Sequence, residues 1–197
     1  VIREKMAALD EHRITLHEAG LSIRKAFGAG TWPAGIAADI RAAWEIAERH
    51  SLRTPVVEQP QYNLFTRTRV EQEYARLYED IGLGLTTWSP LASGRLTGKY
   101  LDGIPEGSRG SRNIGWLQER LADGDDNSRI AAFVDVAEDI GCSPAQLAVA
   151  WVVSNPTVST VLLGASRVEQ LEENLQALDV LAELTPDRKA RIEAIFE

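Results

Sequence analysis

The chain is poor in cysteine, in basic residues and in long apolar runs. Its 197 residues contain one cysteine, Cys142, so no disulfide can form within the chain. Lys and Arg number 21 against 29 Asp and Glu, which gives a net charge of −8. A nucleic-acid-binding domain usually shows the opposite balance or a basic stripe, so nucleic acid is not an expected partner. No apolar run approaches the roughly 20 residues of a membrane-spanning helix, so we expect no membrane insertion.

The N-terminus and the cysteine both favour a cytoplasmic setting. Residues 1–6 are too polar for a secretory signal, and proteins of oxidising compartments usually contain more cysteine. Cys142 lies in a predicted turn between two helices. We interpret it as a small buried residue rather than a reactive thiol.

Helix and strand patterns alternate along the chain. Apolar residues at helical spacing predict helices over 36–47, 70–81 and 130–140, after an opening helix around 2–9. Apolar runs of strand length occupy 22–27, 55–58, 84–88 and 159–163, and each precedes turn residues and then a helix. This alternation is typical of βαβ units in a parallel sheet and predicts an α/β fold.

Three helix starts are marked by capping residues. Ser143-Pro144-Ala145-Gln146 combines an N-cap serine, a proline at the first helical position and a glutamine that can close a capping box. The sequence 166–169 predicts a second capping box, and Thr185-Pro186 predicts the start of the last helix.

About four βα units follow from this pattern, which leaves two architectures open. A closed (β/α)8 barrel needs eight units and usually about 250 residues, so four units correspond to half of one. The alternative is an open four-stranded sheet, whose edges would need covering. We find no linker, so residues 1–197 are predicted to form a single, partial domain. Residues 101–127 are predicted to form a long insert, which favours a lid or binding loop.

A candidate phosphate site follows the last predicted strand. Gly164 lets a ligand approach the backbone closely, and the helix two residues later offers N–H groups and a dipole that favour an anion. Ser166 can cap that helix or donate to a phosphate, and Arg167 adds a positive charge. Gln170 and Asn174 share one face of the helix, with Glu173 beside them. A well-capped helix with a solvated Arg167 explains the same residues equally well.

A second candidate segment begins at Trp88. This residue ends a predicted strand, where barrel active sites are built, and its flat ring could stack on a planar cofactor ring. The small residues at 92–94 suit passage past a pyrophosphate, which Lys99 could neutralise and over which Arg109, on the long insert, could close. A core tryptophan and a surface lysine are the alternative interpretation, and for Lys99 and Arg109 alone it is the stronger one.

Other catalytic or metal-binding motifs are weak in this sequence. His12 and His17 are five residues apart, so they do not share a helical face, and no further ligands surround them. We find no nucleophile elbow, Walker loop or Gly-x-Gly-x-x-Gly fingerprint. We therefore predict no metal site.

The two candidate segments resemble the aldo-keto reductases, and most closely the branch that includes the potassium-channel β subunits. The stretches 58–63, 87–94, 98–100, 163–166 and 170–174 show this resemblance, in the family's order from about residue 33 to the end. Residues 1–30 match poorly. Gly30 and Thr31 stand where the family usually has a Ser-Arg or Ser-Asn pair that helps hold the nicotinamide. The resemblance implies the C-terminal half of a (β/α)8 barrel.

The resemblance also implies an NADP(H) site. Gln59 would hold the nicotinamide carboxamide, and Trp88 would stack on the nicotinamide. The pyrophosphate would be followed by Ser89, Pro90, Leu91, Ala92, Ser93, Gly94, Lys99 and Arg109. The adenosine-phosphate end would be lined by Gly164, Ser166 and Gln170, with Glu173 and Asn174 reaching the adenine. Arg167 would pair with the additional phosphate of NADP(H).

The family reaction is the reduction of a carbonyl compound, with hydride from the nicotinamide and a proton from a tyrosine. The catalytic Asp, Tyr, Lys and His (or Asn) of the family lie in the first half of the barrel, so none is assigned here, and we expect this chain alone to be inactive. A non-catalytic module that binds nucleotide or regulates a partner is the main alternative. A structural remnant without a ligand is the third.

We expect the chain not to remain a bare monomer. Half a barrel leaves two sheet edges and an inward sheet face uncovered, with Val57, Thr86 and Leu162 as candidates for that face. Burying apolar surface contributes roughly 25 cal/mol per Å2, which favours a homodimer or a complex with a separate N-terminal half. Sedimentation of the purified chain tests this. A cooperatively folding species of monomer mass that binds no hydrophobic dye would contradict it.

Overall fold

The computed structural model describes residues 35–112 and 114–197, which fall into two compact units. The first comprises 35–58 and Glu71–Gly84, and the second comprises Gln59–Val70 and 85–197. The predicted opening helix, the strand at 22–27, both N-terminal histidines and the Gly30-Thr31 pair lie outside the described residues. None of the helices described is both long and apolar enough to cross a membrane.

The first unit contains two helices and a short strand. Helix α1 spans Ile36–Arg49 and confirms the helix predicted at 36–47. Strand β1 spans Val57–Glu58, shorter than predicted, and the Gly84 amide donates to the Val56 carbonyl at 2.9 Å. Helix α2 spans Ala75–Ile81 and packs against α1, where an ion pair joins Arg41 and Asp80.

The helix predicted at 70–81 is interrupted. A π-helical turn spans Arg69–Glu73, and α2 begins only at Ala75. Gly82 ends α2 with φ of 64°, in the left-handed region that glycine adopts without a steric penalty. The apolar periodicity therefore predicted the helical segment correctly but not its change of pitch.

Two parallel strands form the framework of the second unit. Strand β2 spans Gly84–Trp88, as predicted, and all of it except Gly84 belongs to this unit. Strand β3 spans Val158–Leu162, one residue earlier than predicted. Their register pairs Thr87 with Val161 and Trp88 with Leu162. Leu85 and Thr87 are fully buried, whereas the alternate residues of β2 are half-buried, as expected from the two-residue period of a strand.

Helices make up most of the rest of the second unit. The α-helices are α3 Gly115–Leu121, α4 Gly124–Ile140, α5 Pro144–Val153, α6 Val168–Leu175, α7 Ala177–Val180 and α8 Pro186–Ile195. Short 3-10 segments span Ala92–Thr97, Gly110–Arg112 and Leu181–Glu183.

Helix α5 lies at the centre of this unit. Ala145 and every residue of 147–152 are buried, so the helix is enclosed on all sides. Its Trp151 packs on Tyr62 with ring centroids 5.0 Å apart and donates from Nε1 to Glu193 of α8 at 3.2 Å. The capping box predicted at Ser143 and Gln146 is confirmed, as is the Thr185 cap of α8.

Two local predictions are wrong. Residues 101–127 are not a loop throughout, because they contain α3 and the start of α4, which Asp123 caps by accepting from the amides of Asp125 and Asp126. The capping box predicted at Ser166 does not form. Helix α6 starts one residue later, with Arg167 at the N-cap and without a side-chain cap.

Several large apolar side chains are exposed in the described residues. Val57 and Leu162, which we predicted to face the uncovered side of the sheet, are 52% and 42% exposed. A further apolar surface runs along α6 and α7 and comprises Val168, Leu171, Leu175 and Leu178. These faces are what an associating chain would bury, and the oligomeric state itself stays a prediction.

Replacing Ser143 with alanine should lower the free energy of unfolding by about 1 kcal/mol, because the first turn of the buried α5 loses its side-chain acceptor. Ser128→Ala is the matched control. Ser128 is exposed within α4 and bonds only to the Gly124 carbonyl, so alanine there should be neutral or slightly stabilising. Urea unfolding of both variants checks this, and equal stabilities would contradict it.

Candidate functional site

The structure brings the two candidate segments together at one edge of the second unit's parallel strands. Trp88 ends β2 directly beside Leu162 at the end of β3. Residues 89–94 follow the first strand, and Gly164 follows the second by two residues. The carboxyl ends of parallel strands are where α/β proteins bind their ligands. The sequence predicted each segment separately, and the strand register makes them neighbours.

Trp88 is held by the segment that follows β1. Its amide donates to the Pro60 carbonyl at 3.1 Å, its carbonyl accepts from the Tyr62 amide at 3.2 Å, and its indole Nε1 donates to the Gln59 carbonyl at 3.1 Å. The indole is half-buried, and Gln59 is exposed. Gln59 and Trp88 are therefore brought together, with the ring oriented by the backbone of Gln59.

The backbone after Trp88 is strained. Ser89, Ala92 and Ser93 have φ values of 59°, 47° and 63°, and Gly94 follows at 87°. Across residues 35–112 and 114–197, Ser51 is the one other non-glycine residue with positive φ. Each such residue costs about 1–3 kcal/mol, and such strain concentrates at functional sites. Pro90 and Ala92 are buried and Leu91 is half-buried, so the turns are packed as well as strained.

Two buried polar residues that sequence analysis missed hold these turns. Asn63 is fully buried, and its Nδ2 donates to the Ser89 carbonyl at 2.9 Å while its Oδ1 accepts from the Phe65 amide at 3.0 Å. Arg95 is buried, forms an ion pair with Asp126 and lies 4.3 Å from the centre of the Phe65 ring. Neither partnership follows from local spacing, because the partners are 26 and 31 residues apart.

Lys99 extends back towards the strained turns. A Cβ at Gly94 would lie 2.8 Å from its Nζ, so glycine at this position leaves space that the lysine occupies. The same Nζ lies 5.0 Å from the centre of the Tyr100 ring. Lys99 is exposed, as is Arg109 on the loop that follows. The structure therefore places the Lys99 cation beside the small-residue segment, and its role towards a pyrophosphate stays a prediction.

The segment after β3 is open to solvent. A Cβ at Gly164 would meet no protein atom within 4 Å, and residues 164–169 are exposed. The amide and hydroxyl of Ser166 both donate to Oε1 of Gln170, at 3.0 and 3.1 Å. Arg167 thus stands at the start of α6 with an exposed side chain, and Glu173 one turn into the helix is half-buried.

Asn174 points away from this exposed segment. Its side chain is buried and lines a partly open apolar pocket of about 230 Å3 between β3 and helices α5 to α7. Val149, Val161 and Leu178 contribute much of the remaining lining. Trp88 and Lys99 are not among the lining residues, so this cavity is separate from the strained turns.

The cysteine has the environment of a structural thiol. Cys142 is half-buried, and its Sγ lies 3.7 Å from the Ala137 carbonyl that accepts from it. Burial raises the pKa of this thiol, and the nearby Arg188 opposes the shift only in part. A thiol with a raised pKa is protonated at neutral pH and is a poor nucleophile. Among the residues described, no three His, Cys, Asp or Glu side chains cluster as metal ligands would.

The chain is similar in sequence to known proteins. A sequence model described as the Aldo/keto reductase family matches residues 25–197. The chain is 47% identical over 173 residues to a probable voltage-gated potassium channel subunit beta of Oryza sativa subsp. japonica. It is 44% identical to a protein of the same description from Arabidopsis thaliana and 44% identical to a putative voltage-gated potassium channel subunit beta of Schizosaccharomyces pombe.

These alignments cover most of this chain and about half of each relative. They span 87% of the chain in all three cases, against 52%, 52% and 51% of the respective relatives. The family match includes both strands described in the second unit, the strained turns and the segment after β3. The chain belongs to the aldo/keto reductase family.

Proposed function

We propose that this chain provides the NADP(H)-binding half of a carbonyl-reducing (β/α)8 barrel. The observation that supports this most directly is the convergence of Trp88, the strained turns at 89–94 and the exposed segment at 164–167 on one edge of two paired strands. Members of the family are oxidoreductases that generally use nicotinamide cofactors. The chain spans about half of its relatives' length. The carbonyl reduction carried out by a whole barrel is therefore itself a proposal.

The residues at this edge suit a dinucleotide in side-chain chemistry and charge. Trp88 offers an aromatic face for the nicotinamide, and the exposed Gln59 beside it offers an amide for the carboxamide. The strained backbone at 89–94, with the Lys99 ammonium against it, suits a pyrophosphate. When bound, the cofactor would supply the hydride, and these residues would bind and orient it.

The exposed segment after β3 would take the adenosine-phosphate end. Gly164 leaves room for a ligand beside the backbone, and Gln170 accepts two hydrogen bonds from Ser166 that shape the turn. Arg167 stands at the N-terminus of α6, where both its guanidinium and the helix dipole attract a phosphate. Glu173, one turn further on, would accept from an adenine amino group. Asn174 would act there only after its buried side chain reoriented.

We assign no proton donor within the chain. The Tyr100 side chain is buried, and its hydroxyl accepts from the Gly110 amide, which is a structural arrangement. Reduction of a carbonyl needs a positioned acid besides the cofactor. We therefore propose that turnover depends on residues outside this chain.

A non-catalytic role is the second candidate, because the three relatives named above are potassium channel β subunits by their descriptions. In that role the chain would bind nucleotide and transmit its binding to a partner protein. The exposed apolar surface on α6 and α7 adjoins the proposed adenosine end and favours such a contact. Both roles require nucleotide binding, and only the first requires hydride transfer.

NADPH should quench the chain's tryptophan fluorescence and should bind more tightly than NADH. Five tryptophans contribute to the total fluorescence. The quenching is expected at Trp88, which would stack on the nicotinamide, so Trp88→Phe should remove most of the change. Arg167→Ala should weaken NADPH binding about tenfold, as expected for one hydrogen bond to a charged group, and leave NADH binding nearly unchanged. Arg120→Ala, at an exposed position on α3, is the matched control. Equal loss of NADPH and NADH affinity in Arg167→Ala would contradict the preference.

The isolated chain should show negligible reduction of a reactive aldehyde by NADPH, because no proton donor is assigned in it. Loss of NADPH absorbance, measured beside a buffer blank and the Trp88→Phe variant, checks this. Steady reduction above the blank that is lost in the variant would show that the chain contains its own catalytic acid.

A further inference from the structure

Tyr100 joins the two parts of the candidate pyrophosphate site. It directly follows Lys99, which lies against the strained turns, and it begins the loop that leads to Arg109. Its side chain is buried, with 6% of its surface exposed. A tyrosine hydroxyl in such a place needs a partner, and the identity of that partner defines what the residue does.

The partner of the Tyr100 hydroxyl is the backbone of Gly110. The Gly110 amide donates to the phenolic oxygen at 3.1 Å, in a buried hydrogen bond between residues ten apart. The Gly110 carbonyl accepts from Nε2 of Gln118 on α3. Both polar groups of one peptide segment are thus held by side chains. We call these two hydrogen bonds the Gly110 clamp.

Packing around Gly110 closes the clamp further. A Cβ at this position would lie 2.8 Å from Cε1 of Tyr100 and 3.1 Å from both Cγ2 of Ile104 and Cδ1 of Leu121. No larger residue fits without displacement of these neighbours. The backbone of Gly110 is therefore held in one place relative to Tyr100 and α3.

The clamp lies next to an otherwise exposed loop. Residues 102–107 and Arg109 are exposed, and Gly110 is buried. The amide of Arg112 donates to the Arg109 carbonyl at 3.3 Å, so Arg109 is part of the short 3-10 turn that the clamp anchors. Holding Gly110 thus determines where the Arg109 side chain leaves the backbone.

The ring of Tyr100 contacts the second cation of the candidate site, Lys99. Lys99 Nζ lies 5.0 Å from its centroid, a cation–π distance, and the same Nζ lies at Gly94. The hydroxyl and the ring therefore have separate tasks. The hydroxyl orders the Arg109 loop, and the ring orders Lys99.

We propose that Tyr100 is a positioning residue for the pyrophosphate of the cofactor, whose buried hydroxyl sets the approach of Arg109 through the Gly110 clamp. This rests on the NADP(H) binding proposed above. An ordered loop has less conformational entropy to lose when it closes over a ligand, so the clamp raises affinity without contacting the ligand. Removing the hydroxyl leaves the ring, and with it the contact to Lys99, in place.

The test is Tyr100→Phe, with Tyr62→Phe as the matched control. Tyr62 is also buried, and its hydroxyl also accepts a hydrogen bond, from Nδ2 of Asn155 at 3.1 Å. Each variant thus loses one buried tyrosine hydroxyl, but only the first lies beside the loop. Without ligand, trypsin should cut after Arg109 or Arg112 severalfold faster in Tyr100→Phe than in Tyr62→Phe. Gln118→Ala, which removes the other half of the clamp, should raise the same cleavage.

Measurements of NADPH affinity then separate the role of the Tyr100 hydroxyl from the role of its ring. NADPH affinity should fall about tenfold in Tyr100→Phe, the loss expected when a buried amide is left without its partner. Arg109→Ala should weaken NADPH binding in the wild type but have little further effect in Tyr100→Phe. Lys99→Ala should weaken binding equally in both backgrounds, because the ring remains.

Two outcomes would overturn the proposal. One is unchanged trypsin cleavage in both Tyr100→Phe and Gln118→Ala, which would show that the clamp does not order the loop. The other is an equal effect of Arg109→Ala in both backgrounds. If the wild type binds no NADPH, the proposed function fails and the positioning role fails with it, while faster cleavage would still establish the clamp as a structural device. If circular dichroism shows that Tyr100→Phe alone loses secondary structure, trypsin cleavage of Gln118→Ala becomes the deciding test.

Discussion

The burial of helix α5 is the constraint on which the second unit depends. Its residues have almost no polar side chain to offer water, so the helix is stable only when other elements enclose it. It contacts β3, the neighbouring helices and the segment Ala92–Thr97. One helix thus supports both a strand of the candidate site and part of its strained turns. Trp151 extends the same core to Tyr62, and through Tyr62 to the segment that holds Trp88.

Strain at the site is maintained by buried polar contacts. Left-handed backbone at Ser89, Ala92 and Ser93 would relax if the surrounding structure allowed it. The Asn63 amide fixes the Ser89 carbonyl, and the buried Arg95 is compensated by Asp126. A buried charge without its partner is strongly destabilising, so this ion pair resists rearrangement. Lys99, Arg109 and Arg167 are exposed and are not among these buried contacts.

The exposed apolar faces are consistent with a chain that matches about half of its relatives' length. Soluble monomers usually cover large apolar side chains such as those of Val57, Leu162 and the exposed surface on α6 and α7. The cavity beside Asn174 lies beneath part of the same surface, since Leu175 and Leu178 belong to both. Helix α6, which begins at the proposed adenosine-phosphate site, therefore contributes to both the exposed surface and the cavity.

Elements that depend on local chemistry could be predicted from the amino-acid order alone. The period of the apolar residues predicted α1 and β2, and the capping residues at Ser143 and Thr185 predicted two helix starts, because both signals act within a few residues. The small residues, the tryptophan and the basic residues of both candidate segments were also recognised from their order along the chain. The remaining features depend on partners that are distant in sequence, so they became visible only in the folded chain. The register that places Trp88 beside Leu162, the Asn63 and Arg95 contacts, the inward turn of Asn174 and the Gly110 clamp all arise from packing, for which no local spacing is a guide.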